Sequence, residues 1–519
     1  MDRFDGMVRR LERESAAAPG HYRAKVALLA LLGFLILGLV LAALGAGLVA
    51  LAGIAAAMAY SGGALMLLLL AKFGKLLFLL AVPLWFTLKS GLQALFVRFP
   101  APCGREISRA EAPALFAALD GMRCRMGGPR FHHVLVVNDV NAAVVQRPAF
   151  GLVGFPRNYL LLGLPLLECL GPDEALAIVA HEYGHLAGAH GRFSAFIYRL
   201  RHTWDTVQAH LDHFEGRAAR LARPLVRWYA PYFNAYTYVM ARADEYRADA
   251  AAAELVGAAS AAHALKRVNL VAPHYEQYME LTYGRVDAES APPADLLHGW
   301  AEYARRPCAA DTLKNWLDGA LDRQGHFADT HPTLRARLAA LARHQEENGD
   351  RDGPQALPPA LGGAAAAQAW FGDGLAPLRA ELQAQWAREV AEPWALRHAE
   401  IQGERTRLRE LRALAQPDAA QQLEMLRLIM RYEPATDVCT PLAAFNTRNA
   451  GHALGLYIEG VARLERGERE GLDLLERAMQ ADPDATEAVC ERAYAWLREQ
   501  GESELAESYV RRWRERQAA

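Results

Sequence analysis

Val179-Ala180-His181-Glu182-Tyr183-Gly184-His185 is the stretch whose reading decides the fold. It lies in an apolar run that begins after Gly171-Pro172-Asp173-Glu174. Proline suits the first helical turn and acidic side chains favour the positive end of the helix dipole, so the run predicts a helix opening here. On that helix His181 and His185 are four residues apart and share one face, where two imidazoles can hold one Zn²⁺. Glu182 falls beside them, placed to take a proton from a metal-bound water. Ala175, Leu176, Ile178, Val179, Leu186 and Ala187 are apolar or small, which predicts burial. A buried His-Glu-His cluster needs partners, and a metal supplies them.

Two histidines leave such a zinc short of a ligand. A carboxylate from another helix is the usual third. The stretch Ala241-Arg242-Ala243-Asp244-Glu245-Tyr246-Arg247-Ala248-Asp249, leading into an alanine-rich helix, offers several. On spacing alone Asp244, Glu245, Asp249 and Glu254 all compete.

His181-Glu182-Tyr183-Gly184-His185 followed some sixty residues later by Arg242-x-x-Glu245-Tyr246-x-Ala248-Asp249 resembles peptidase family M48. That family holds the HtpX-type heat-shock proteases and the CAAX prenyl proteases of membranes. The resemblance covers residues 98–341 with the preceding apolar segment. It implies one zinc per chain held by His181, His185 and Glu245, with Glu182 as catalytic base. It further implies that Asp249 orients a ligand histidine. Asn141-Ala142 resembles the Asn-Ala on the substrate-binding edge of related zinc peptidases, and an ordinary turn asparagine is the alternative. Thr330-His331-Pro332, with Arg335 after it, resembles the family's downstream His-Pro element. His331 is then a candidate catalytic residue that stabilises an oxyanion, or a helix cap.

His190, five residues past His185, is rotated away from the metal face on a straight helix. His202, His210 and His213 sit among acidic neighbours and read as a solvated helix face.

The N-terminus carries the sharpest compositional break. No charged residue stands between Lys25 and Lys72, a run that as helix reaches roughly 70 Å, twice the hydrocarbon thickness of a bilayer. Two spans are expected, over residues 24–46 and 48–71, reversing near Gly45-Ala46-Gly47 or, in competition, Ser61-Gly62-Gly63. A third membrane-associated helix is expected over 76–97. Arg3, Arg9, Arg10, Arg13, Arg23 and Lys25 precede the run and Lys72 and Lys75 follow it. By the positive-inside rule this places both ends in the cytoplasm of a bacterial inner-membrane protein, and the catalytic domain with them unless the helix over 76–97 also spans, which would put it on the other side.

Ser108-Arg109-Ala110-Glu111 has the form of a capping box opening a helix that Gly127-Gly128-Pro129 ends. His133–Val137, Asn141–Val145 and Tyr159–Leu162, rich in β-branched residues, read as short strands that deliver the chain to the motif helix. A sheet edge here is suited to binding an extended peptide by strand addition.

The fold class expected is mostly α with a small β-sheet, a zincin-like α+β peptidase domain. Transmembrane helices precede it and an all-α region follows. The expected organisation is a basic segment over 1–23, a membrane region over 24–97, a peptidase domain over 98–343, a linker over 344–375 and a helical domain over 376–519. Gly460, Gly467, Ala478 and Asp482-Pro483 stand at spacings like those of a tetratricopeptide repeat, with a degenerate copy after them, so this region is expected to bind a protein partner.

A net charge of −2 gives no reason to expect nucleic acid. Six scattered cysteines without a C-x-x-C pair argue against a disulfide framework or a cysteine zinc site. The function expected is a membrane-anchored zinc endopeptidase acting on proteins or peptides at a lipid bilayer, and the HtpX-type likeness implies membrane protein quality control. The rival is a membrane-anchored scaffold with a structural or vestigial zinc site.

Overall fold

A mixed four-stranded sheet and the helices packed on it position everything described below. The structure is a computed structural model, and it describes residues 2–60, 63–95, 101–147, 156–187, 197, 217–325, 331–345, 353 and 355–518. His190, His202, His210, His213 and Thr330 lie outside the described residues. The chain divides into one unit of Met1–Tyr283 with Ala294–Ala387 and another of Gly284–Pro293 with Arg388–Ala519.

The first unit begins with three helices: α1 (Asp2–Ala17), α2 (Pro19–Tyr60) and α3 (Ala64–Leu95). Among the described residues, α2 alone is long and apolar enough to cross a membrane. It runs unbroken through Gly45-Ala46-Gly47 and ends at Tyr60, and α3 begins at Ala64. Two long helices therefore replace the expected two spans and third helix. The small residues serve packing rather than a turn: Gly47 meets the side chain of Leu84 at ordinary contact distance. Small residues inside an apolar helix let a partner helix come close.

The sheet comprises β1 (Arg105–Glu106), β2 (His133–Val137), β3 (Ala142–Arg147) and β4 (Arg157–Gly163), in the order β1-β2-β4-β3. β2 and β4 are parallel neighbours, His133 opposite Tyr159 through Val137 opposite Gly163. β3 runs antiparallel to β4 and closes one edge of the sheet. As interior strands, β2 and β4 bury Val134, Val136, Leu160 and Leu162 in the main core.

Against the sheet pack α4 (Pro113–Met126), the single turn α5 (Leu164–Leu167) and α6 (Pro172–Gly184). α4 starts later than the capping box predicts. The reciprocal bond forms, Ser108 N donating to Glu111 Oε2 at 2.7 Å, but it closes only a turn. Pro113 then pushes Ala112 out of the helical region, to φ −138° and ψ 63°, and the helix opens on the proline.

Four more helices complete the tier around α6. These are α7 (Arg217–Val256), α8 (Ala258–Gly284), α9 (Leu296–Tyr303) and α10 (Ala310–Asp322). After them come α11 (Leu334–Gln345), α12 (Ala366–Phe371) and α13 (Leu375–Ala413). The expected linker over 344–375 is displaced by its own apolar content. Ala366, Ala367, Trp370 and Phe371 enter the main core, and Ala366 N donates to Leu170 O at 2.7 Å. The first unit extends to Ala387.

In the second unit the described residues are helical apart from short turns, as expected. Ala453–Glu465 pairs with Gly471–Ala481, and Thr486–Glu499 with Ser503–Ala518. A β-carbon on Gly471 would stand 2.5 Å from Gly460 O, so only glycine permits the first of these crossings.

Candidate metal centre

α6 and α7 bring the motif residues together. α6 opens on Gly171, whose N–H donates to Glu174 Oε2 at 2.9 Å, while Arg267 grips the same carboxylate at 2.8 Å. The helix then buries Ala175, Val179, Ala180 and Tyr183 in the core, and Tyr183 donates its hydroxyl to Pro129 O at 2.7 Å. This fixes the rotation of α6 and turns His181 to the face that meets α7. Gly184, its last residue, lets α7 approach: a β-carbon there would lie 3.1 Å from Ala248 Cα. With no side chain between the helices, Glu245 and Asp249, one turn apart on α7, reach the histidines.

Glu245 is the hub. It is 5 % exposed. Its Oε2 stands 3.5 Å from His181 Nε2 and its Oε1 stands 3.4 Å from His185 Nε2. The two imidazole planes are perpendicular, with centroids 5.0 Å apart. His331, from the segment before α11, meets the same Oε2 through Nδ1 at 2.6 Å. Ligand atoms of His181, Glu245 and His331 all lie within 4.8 Å of one another. Glu182 is half-buried beside His181 on the same helix.

These distances separate two kinds of contact. Two ligands at about 2.1 Å from one tetrahedral zinc are about 3.4 Å apart. The approaches of His181 and His185 to Glu245 have that separation, longer than a good hydrogen bond. The contact of His331 at 2.6 Å is a hydrogen bond, and its side chain is half exposed. Nor does His331 cap the helix, because Thr333 Oγ1 accepts from Ala336 N at 3.3 Å. A buried carboxylate ringed by imidazole nitrogens is a donor set suited to zinc, so the residues fit the ion.

Behind His181 stands Asp249, whose Oδ1 accepts from His181 Nδ1 at 2.8 Å. Arg337 on α11 grips Asp249 with Nη2 on Oδ1 at 2.6 Å and Nε on Oδ2 at 2.9 Å. Sequence reasoning missed Arg337. It singled out Arg335, which turns away to Leu321 O and Asp322.

The charges respond to this packing. Burial pushes the Glu245 carboxyl up, but the imidazoles of His181, His185 and His331 around it outweigh this and hold the group far below the usual carboxylate range. For Asp249, burial is likewise outweighed, by Arg337 and His181, and the carboxyl is held down. Burial lowers His181, yet its bonds to Asp249 and Glu245 prevail and push it up to about 9.

Asn141 is exposed and immediately precedes β3, and its carbonyl accepts from Gly163 N at 2.8 Å. Ala142 begins the edge strand, and β3 packs beside α6. The sheet edge, Asn141 and the histidine-bearing helix are thus neighbours.

A helix bearing His-Glu-x-x-His, joined by a buried glutamate from a second helix, is the architecture of a metallopeptidase. Residues 129–345 match the model of peptidase family M48, a family that is zinc-dependent in general. No curated protein and no solved structure matches the chain.

Proposed function

We propose that the chain is a membrane-tethered zinc endopeptidase in which His181, His185 and Glu245 hold one Zn²⁺. The observation that carries this reading is the approach of both motif histidines to the buried Glu245 at ligand-to-ligand separation. A zinc ion held there supplies Lewis acidity, which polarises a carbonyl and makes water more acidic. Glu182 accepts the proton of the attacking water on its carboxylate and returns it to the leaving amine, so water and one peptide bond yield an acid and an amine. Asp249 fixes the ring of His181. His331, half exposed and tied to Glu245, reaches the open side of the site, where it donates to the developing oxyanion.

The β3 edge supports a peptide substrate. An extended segment laid along it becomes an added strand, and Asn141 and Ala142 lie where that strand passes the motif helix. The apolar α2 supports anchorage in a lipid bilayer, with basic residues before and after the apolar run favouring a cytoplasmic catalytic unit. The helical second unit is suited to binding a protein partner or presenting substrate. Cleavage of membrane proteins in quality control is the role these features fit together.

The test is Glu182→Gln in the full chain. Zinc content is expected to stay at one per chain while chelator-sensitive casein cleavage disappears. Cleavage that persists in the variant overturns the catalytic reading and leaves a membrane-anchored scaffold with a structural zinc.

A further inference from the structure

Arg337 on α11 reaches into the His181 site, and neither the motif nor the ligand set accounts for it. Four observations define its place, the first being that its Nη2 lies 3.2 Å from His181 Nδ1 and 3.4 Å from Nε2. Its planar fork meets both oxygens of Asp249, at 2.6 and 2.9 Å. Asp249 Oδ1 is shared, accepting from Arg337 Nη2 and, at 2.8 Å, from His181 Nδ1. All three side chains are buried, Arg337 at 14 %, Asp249 at 4 % and His181 at 8 % exposure.

We infer that Arg337 is a positioning residue: by clamping Asp249 it fixes the tautomer and ring plane of His181, and so the aim of Nε2 at Glu245. The inference rests on the proposed ligand set. A lone carboxylate behind a histidine can rotate about its own bond, and its hydrogen bond then constrains the ring weakly. A guanidinium bound to both oxygens locks the carboxylate plane, because the fork and the carboxylate match in spacing and direction. Oδ1 is thereby held where it must accept from Nδ1–H, which leaves Nε2 as the lone-pair nitrogen facing Glu245. Lysine would keep the charge but present a single point donor, unable to set that plane.

α11 is well placed for this task. Leu338 and Leu341 anchor it in the interior, and the Thr333 cap fixes its first turn, so the arm of Arg337 starts from a rigid base. The same stretch carries His331 to Glu245. One segment therefore reaches both α7 carboxylates, His331 on Glu245 and Arg337 on Asp249.

The test is zinc affinity of the purified full chain, read by competition with a chromogenic chelator, together with thermal melting of the metal-free protein. Arg337→Lys is expected to melt near the wild type yet bind zinc about 10–100-fold more weakly. Arg337→Ala leaves a buried anion and is expected to fold poorly, so Asp249→Asn and Arg337→Ala/Asp249→Asn serve beside it. If Arg337 acts through Asp249, the double variant binds zinc no more weakly than Asp249→Asn alone, within about twofold. Unchanged zinc affinity in Arg337→Lys, or losses that multiply in the double variant, overturns the inference. His181→Ala keeps the two readings apart. If that variant still binds zinc like the wild type, the ligand set itself falls; if it does not, and the losses multiply, only the role of Arg337 falls.

Discussion

Ala248 Cα lies 3.1 Å from the point where a β-carbon on Gly184 would stand. The neighbour is main chain of a long helix, which cannot swing aside as a side chain does. Gly184→Val is therefore expected to part α6 and α7 and to pull Glu245 away from both histidines. Overpacking of this kind costs about 1–3 kcal/mol. Zinc affinity should fall at least about tenfold, since a ligand set tolerates little displacement. Chelator competition and a melting curve of the metal-free form check both, and wild-type affinity would show that the crossing does not set the site.

His331 is bound to the carboxylate of Glu245 and half exposed, and this predicts a split between binding and turnover. In His331→Ala, zinc stoichiometry should be retained, while kcat on a peptide falls about 10²-fold with loss of a donor to the oxyanion. Metal analysis and steady-state kinetics on one preparation decide it. Loss of zinc together with activity would make His331 a ligand instead.

Asn141 predicts a third pattern. It lies at the head of the edge strand, away from the proposed ligand shell, so Asn141→Ala should leave zinc affinity and melting unchanged. KM for an extended peptide should rise several-fold, as one anchoring hydrogen bond, about 1 kcal/mol, is removed. Equal KM values would detach the edge from substrate binding.

Much of this site was legible because its signals are local. The run His133–Val137 is a strand to the residue, and β-branched side chains on a doubly covered strand explain why. Gly127 ends α4 with φ 66°, as a left-handed cap requires. The spacing of His181 and His185 fixes their common face, which Glu245 meets. What stayed hidden depends on distant contacts. Arg337 touches Asp249 across 88 positions of sequence, and nothing near it distinguishes it from Arg335. Gly45-Ala46-Gly47 has the composition of a turn, yet it is the facing helix that decides its conformation. Ala366–Phe371 hides in a stretch rich in proline and glycine, where composition outweighed four apolar side chains that the core takes up.

Glu168 supplies the pH dependence. It is buried, its Oε1 accepts from Arg379 Nε at 2.6 Å, and its Oε2 has no partner among the described residues. Burial raises its carboxyl to about 7, and Arg379 only partly offsets this. The unfolded chain ionises it near the ordinary value, so between these two pH values the folded state binds more protons than the unfolded one. Stability from this group is then fully present below about 4.5 and is lost as pH rises through about 7, by about 3 kcal/mol in all. Glu168→Gln, which keeps the shape and removes the titration, should melt at a temperature less dependent on pH between 5 and 8. Wild type should lose several degrees across the same window relative to it. Parallel curves for the two proteins would mean that Arg379 holds Glu168 ionised throughout, and that the unpartnered oxygen carries no proton.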